Sequence, residues 1–292
     1  MLNRIKYIAH RANTAEKYHV DNQIDNSLDA VKNAMNNPHV SEIELDFQMT
    51  KDGHIVAMHD TNTRIVGNEF FKSKKVCDLT LEELRTYLMR DPVWEYRYSL
   101  LKSLREKDES YRKFYKDKLW TLGHVSTGKE IFDMVAEAES PKPILVELKD
   151  FRDACIEELA KLLNDYKDRI DFRIQSYSPE AVIRLKELTA LKAGLLVKRG
   201  RNLEYLSLVK LQEYRDLFDF YSLEKGLFTP ERLRILLGIF KKDLNVFTIT
   251  GEIGLNRILS IIELLERELP TENYQVGIIT DTTNLLVKSL TH

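Results

Sequence analysis

Short apolar runs alternate with amphipathic helical stretches along nearly the whole chain, and this rhythm limits the fold more than any other feature. Eight runs, with midpoints at or near Ile8, Glu44, Val146, Ile174, Leu196, Tyr221, Thr248 and Ile278, read as strands lying between helices. Helices are expected over Leu28 to Asn36, Lys129 to Glu139, Arg152 to Tyr166, Pro179 to Leu188, Leu203 to Tyr214, Pro230 to Phe240 and Leu255 to Leu269. Another should start at Thr80 with Glu83 completing a capping box, and a short one should end the chain. A strand that returns through a helix pairs in parallel with its predecessor. The expected fold is therefore α/β: an eight-stranded parallel β/α (TIM) barrel, whose chemistry sits at the carboxyl ends of its strands.

Ser41 to Asp60 departs from the rhythm. Two strands here are joined by Lys51-Asp52-Gly53, a connection too short for a crossover helix, so they form an antiparallel hairpin at the barrel mouth. Glu44 and Asp46 share one face of the first strand, roughly 7 Å apart. If Asp52 and Gly53 are the central turn residues, His59 lies opposite Asp46, with Cβ atoms about 5 Å apart. A three-residue turn moves the pairing by one.

The 292 residues suit a single barrel domain with an insertion. Residues 86–124, dense in Tyr, Arg and Lys and holding both tryptophans (Trp94 and Trp120), read as a helical insertion. It is either a solvated flap or a lid. A formal net charge of −2 gives no reason to expect nucleic acid as a partner. Cys77 and Cys155 fit no metal-ligand spacing and suit a reducing compartment. The N-terminus enters a strand directly, without a signal peptide's apolar run or a transmembrane span, so a cytoplasmic protein is expected.

Glu44, Asp46 and Glu147 bring three carboxylates to one mouth from two strands. Such groups repel one another unless a cation lies among them, and an all-oxygen set suits one hard divalent ion, Mg²⁺ or Ca²⁺. Taken singly, each has a bland alternative, such as a Glu147–Lys149 salt bridge. His10 and His59 reach the same rim from different strands, as a general acid and general base would. Arg11 and Lys149 stand beside the carboxylates as cations suited to a phosphoryl group. His19, His39, His54, His124 and His292 read as surface residues. No GxSxG elbow, Walker loop or dinucleotide fingerprint is present.

In order along the chain, these residues resemble the glycerophosphodiester phosphodiesterase family of barrel enzymes. The resemblance rests on Ala9-His10-Arg11, Asp25-Asn26-Ser27, Ile43-Glu44-Leu45-Asp46, Thr50-Lys51-Asp52-Gly53, Val56-Ala57-Met58-His59-Asp60, Arg64, Gly67 and Asp78-Leu79-Thr80. It continues through Ser126-Thr127 with Glu130, Val146-Glu147-Leu148-Lys149, Gln175-Ser176-Tyr177, Phe247-Thr248 and Gly277-Ile278-Ile279-Thr280-Asp281. It implies His10 and His59 as catalytic acid and base, Arg11 holding a phosphate oxygen, Lys149 neutralising the transition state, and Glu44, Asp46 and Glu147 as metal ligands. Ser176 and Phe247 would join Arg11 and Lys149 in binding substrate. The implied reaction converts a glycerophosphodiester to an alcohol and glycerol 3-phosphate, through a cyclic phosphate formed by the glycerol's own hydroxyl.

The chain departs from the family pattern at three places. Ala12 stands where the family usually has Gly, Ile24-Asp25-Asn26-Ser27 replaces Pro-Glu-Asn-Thr, and Phe247 takes the place of a tryptophan. Two other readings compete. One is a phospholipase D-like lipase of the same superfamily that cyclises lysophospholipids, with Trp94, Tyr96, Tyr98, Leu100 and Leu101 as an acyl-chain rim. The other is a barrel that binds a phosphorylated ligand without cleaving it. The sequence leaves the alcohol, the choice of ion and the oligomeric state open.

Overall fold

The computed structural model describes residues 5–14, 25–61, 74–86, 125–249, 251–268 and 275–280. All of the insertion beyond Thr86, with its tryptophans, lies outside these residues. So do Arg64, Gly67, His19, His124, His292 and the terminal helix.

Nine strands form one sheet: β1 (Ile5–Ala9), β2 (Glu42–Met49), β3 (Ile55–Ala57), β4 (Ile144–Leu148), β5 (Phe172–Ser176), β6 (Lys192–Val197), β7 (Phe220–Glu224), β8 (Asp243–Ile249) and β9 (Val276–Thr280). β3 pairs only with β2 and runs antiparallel to it. The other eight are parallel, in the order β1-β9-β8-β7-β6-β5-β4-β2, and a β1–β2 pairing closes the ring. Helices fill the crossovers, so the fold is a closed β/α barrel with a hairpin on its rim.

Strand alternation explains which residues face which way. Ile43, Leu45 and Phe47 of β2 and Ile144, Val146 and Leu148 of β4 are buried in the layer under the helices. The intervening residues point into the barrel. At its amino end Arg173 forms a bidentate pair with Glu42 and lies 4.6 Å from the centroid of the Phe220 ring. Ile8, Leu145, Phe220 and Ile279 make the apolar layer of the interior. The Phe220 ring fits because position 194 is Gly, where a Cβ would stand 2.1 Å from it. One step further up, Asn245 donates to Ser222 (3.0 Å), which donates to Gln175 (2.7 Å). Below its mouth the barrel is thus a packed core whose polar side chains satisfy one another.

The hairpin uses the longer turn. Pairs Phe47–Ala57, Gln48–Val56 and Met49–Ile55 put Thr50 opposite His54 and Met58, rather than His59, opposite Asp46. Thr50 accounts for the choice: its N–H donates to the His54 carbonyl (3.0 Å), its hydroxyl accepts from the His54 N–H (3.0 Å), and its carbonyl accepts from Gly53 (3.2 Å). Gly53, at φ +86°, takes the left-handed position that ends a three-residue turn.

Two expected helices are interrupted. Leu203 to Tyr214 divides into a 3₁₀ turn, Leu203–Leu206, and an α-helix, Leu208–Glu213, because Ser207 is extended and caps the second piece through Lys210 N–H. Pro230 to Phe240 starts as an α-helix (Pro230–Leu233) and widens into π geometry over Arg234–Ile239. β7 begins only at Phe220, since Phe218 stacks on Tyr214 in the outer layer (5.7 Å). The Thr80–Glu83 capping box forms in both directions, at 2.8 and 3.1 Å. Among the described residues no helix is long and apolar enough to cross a membrane.

Candidate active site

Glu44 and Asp46 on β2 and Glu147 on β4 converge at the carboxyl end of the barrel. The register aligns Asp46 with Glu147 on adjacent strands. One oxygen from each of the three lies within 4.8 Å of the others, and the residues are 1, 0 and 7% exposed. Glu44 Oε1 has no hydrogen-bond partner among the described residues, and Asp46 Oδ1 has only the Lys149 ammonium at 3.0 Å. Buried carboxylate oxygens left in this state are costly. A hard divalent cation is the partner that such a donor set fits.

Burial and the neighbouring Asp46 push the Glu44 carboxyl up to about 8, with Glu147 adding to the rise, and His10 and the Arg11 N–H opposing it. Asp46 behaves in the opposite way. Burial alone would raise it, but Lys149, then His59, Arg11 and His10, outweigh that and hold it well below the carboxylate range. Lys149 ion-pairs with both Glu147 and Asp46. Desolvation works against its charge, yet those carboxylates keep the ammonium above the ordinary lysine value. The bland Glu147–Lys149 pair and the acidic triad are therefore parts of one cluster.

His10-Arg11-Ala12 is a single tight turn at the end of β1, with Arg11 at φ 52° and Ala12 at φ 61°. These left-handed residues aim the Arg11 N–H at Glu44 Oε2, 2.8 Å away. The Arg11 guanidinium donates to Asp25 (3.1 Å) and lies 3.6 Å from Asp46 Oδ2. Ala12 is fully buried. Asn26, also left-handed at φ 62°, holds Asp46 at both ends: Nδ2 donates to Oδ2 and Oδ1 accepts from the Asp46 N–H, each at 3.0 Å.

His59 reaches the site without facing Asp46 across the ladder. It follows β3 on a turn pinned by Gln48, whose amide donates to the Met58 and Asp60 carbonyls at 2.7 and 2.8 Å. Its Nδ1 sits 2.8 Å from Asp60 Oδ1. With Nδ1 so engaged, Nε2 is the nitrogen left for a substrate. His10 and His59 both help to lower the Asp46 carboxyl, so both imidazoles lie near enough to act on it electrostatically.

Ser176 is not brought to the mouth. It is fully buried on the helix-facing side of β5, where its hydroxyl donates to the Leu148 carbonyl (3.0 Å) and accepts from Ser178 N–H (3.1 Å). Its neighbour Tyr177 has the lumenal parity and stands edge-on to Phe247, at 6.2 Å and 83°. Reading the sequence alone gave no role to Asn26, Gln48, Asp60 or Tyr177. The His59-Asp60 dipeptide was the available signal for one of them; the others depend on a positive φ or on a neighbouring strand.

The barrel as a whole has close counterparts among solved structures. A phosphodiesterase from Oleispira antarctica, solved with the product sn-glycerol-3-phosphate, superposes with a TM-score of 0.70 at 14% identity, covering 98% of this chain and 97% of that one. Glycerophosphodiester phosphodiesterases from Parabacteroides distasonis (TM-score 0.65, 16% identity, 99% and 97% covered) and Thermotoga maritima (0.61, 19%, 98% and 97%) share the fold. A search of curated proteins finds no match. The model of the glycerophosphoryl diester phosphodiesterase family matches residues 10–222, a span holding His10, His59 and all three carboxylates, and the chain belongs to that family.

Proposed function

We propose that the protein hydrolyses a glycerophosphodiester to an alcohol and glycerol 3-phosphate with the help of one divalent cation, Mg²⁺ or Ca²⁺. The observation that carries this reading is the buried carboxylate triad within 4.8 Å at the mouth of the barrel, and it is supported by two histidines that act on Asp46 electrostatically. Glu44, Asp46 and Glu147 would hold the ion, which would supply Lewis-acid stabilisation of the phosphoryl oxygens.

This chain's own groups do the rest. One imidazole takes the proton from the glycerol hydroxyl next to the diester as that oxygen closes on phosphorus. The other protonates the departing alkoxide, and their roles reverse when water opens the cyclic phosphate. Asp60 fixes the His59 ring. Lys149 and Arg11 add positive charge where the phosphoryl oxygens gain negative charge. Arg11 also orients Glu44 through its backbone N–H. Two thiols without a disulfide, Cys77 and Cys155, suit a cytoplasmic setting.

The test is to strip the protein with EDTA, restore Mg²⁺ or Ca²⁺ separately, and follow glycerol 3-phosphate release from a panel of glycerophosphodiesters. Release that depends on one of the ions is expected. Full activity in the metal-free protein, or none on any diester with either ion, would defeat the reading.

A further inference from the structure

Beyond β6 the chain turns sharply at Lys198-Arg199-Gly200-Arg201. Lys198 and Arg201 exchange both backbone hydrogen bonds, at 3.1 and 3.0 Å, around Gly200 at φ +77°. Both cations then lie over one ring: Lys198 Nζ is 5.2 Å and Arg201 Cζ 4.6 Å from the centroid of Tyr177. Asn202, at φ 63°, locks this arrangement by donating to the carbonyls of Tyr177 (2.7 Å) and Leu196 (2.9 Å).

Among the described residues neither cation has a carboxylate within ion-pair distance. The acidic side chain nearby, Glu224, accepts a hydrogen bond from the Arg199 N–H at 2.8 Å. Two like charges held over one ring repel each other, and a cation–π contact offsets this only in part. Among the described residues the charge left uncompensated here is positive, and an anion would compensate it.

The pair also lies beside the proposed chemistry. Tyr177 is two residues beyond Gln175, which pairs with Glu147, so it stands about 7 Å further up the rim. After burial, Glu147 is the strongest influence raising the Tyr177 hydroxyl, while Lys149 and Arg201 oppose it. Passing round the barrel from β4 to β6, one meets the carboxylate cluster, then Lys149, then Tyr177, then the exposed cation pair.

We infer that Lys198 and Arg201, both held against the Tyr177 ring, form a leaving-group subsite for glycerophosphodiesters whose alcohol carries a phosphate monoester of its own. A phosphate monoester brings a charge of about −1.5 to −2 and oxygens that accept from ammonium and guanidinium together. The inference rests on the hydrolase reading and narrows its substrate class.

The experiment compares glycerophosphoglycerol with the same diester phosphorylated on its terminal hydroxyl, using the cation-loaded full chain. The wild type should show a higher kcat/KM for the phosphorylated diester, and added salt should compress that advantage. In the double variant Lys198→Gln, Arg201→Gln the ratio of the two kcat/KM values should fall by about tenfold or more. Arg201→Lys should keep part of it, since the charge remains and the planar fork is lost. A wild type that prefers the neutral diester, or a ratio unmoved in the double variant, overturns the subsite while leaving the hydrolase reading intact. A wild type that cleaves neither diester overturns both.

Discussion

The backbone N–H of Arg11 meets Glu44 Oε2 at 2.8 Å in a turn where Arg11 and Ala12 are both left-handed. For an L-residue with a Cβ that conformation costs about 1–2 kcal/mol. Ala12→Gly removes the cost but exposes a more flexible unfolded chain, by about 0.4–1 kcal/mol, and gives up one buried methyl, about 0.8 kcal/mol. These terms nearly cancel. Ala12→Gly should therefore change stability in urea by less than about 1 kcal/mol and keep turnover. Ala12→Val, β-branched at a positive φ and fully buried, should lose several times that stability. Paired denaturation curves check both.

The three carboxylates should not be equivalent on mutation. On the proposed reading Glu44→Gln removes one ligand and should weaken Mg²⁺ or Ca²⁺ binding by about a hundredfold while the fold persists; Glu147→Gln should weaken it similarly and also lose the pair with Lys149. Asp46→Asn should do that and also destabilise the protein. Asp46 holds Lys149 at 3.0 Å and lies 3.6 Å from Arg11, both largely buried. Removing one partner of a buried charge cluster costs about 3–5 kcal/mol. Calorimetric ion titrations and melting curves separate the two effects.

Glu130 links two elements on either side of the insertion. It caps the helix Gly128–Ala136 with Thr127, and both of its oxygens accept from Arg85 Nη2, at 2.7 Å each. Burial would raise its carboxyl, but the Thr127 N–H, the Arg85 guanidinium and the Thr127 hydroxyl outweigh it and keep the group low. A lowered folded value contributes stability above the unfolded carboxylate pKa, and that stability is lost as pH falls through the folded value. Glu130→Gln should thus lower stability by about 0.5–1 kcal/mol at neutral pH, a modest figure because the pair is partly exposed. Below the ordinary carboxylate range the gap between variant and wild type should close. Melting temperatures measured across pH 3 to pH 7 give the test.

What the sequence alone revealed, and what it hid, follows the range of the interactions. Alternating runs located the strands, and β9 (Val276–Thr280) is centred on the expected Ile278, because burial on both faces writes a continuous apolar signal. Glu44, Asp46 and Glu147 were legible since strand parity sends them inward together. The hairpin register was not, because one hydroxyl and one left-handed glycine decide between turns of two and three residues. Ser176, implied as a substrate-binding residue by the resemblance, has the strand parity that buries it under the helices, and the residue with lumenal parity is Tyr177. The role of Asn26 beside Asp46 was hidden for another reason. Its hold on Asp46 spans twenty positions and needs a backbone conformation that no local pattern announces.

Asp60 offers the sharpest test of the acid–base assignment. Its oxygen lies 2.8 Å from His59 Nδ1, and Gln48 fixes the turn that carries both residues. If His59 Nε2 exchanges protons with substrate, Asp60 acts through it by fixing the ring and stabilising the imidazolium as it forms. His59→Ala should lower kcat by about 10²–10⁴. Asp60→Asn, which keeps an acceptor but removes the charge, should lower kcat by about 10–100-fold with KM little changed, as expected when an interaction matters in the transition state. The double variant should be no slower than His59→Ala alone, because Asp60 has nothing to act upon once the imidazole is gone. Additive losses in that cycle would mean that Asp60 works independently of His59.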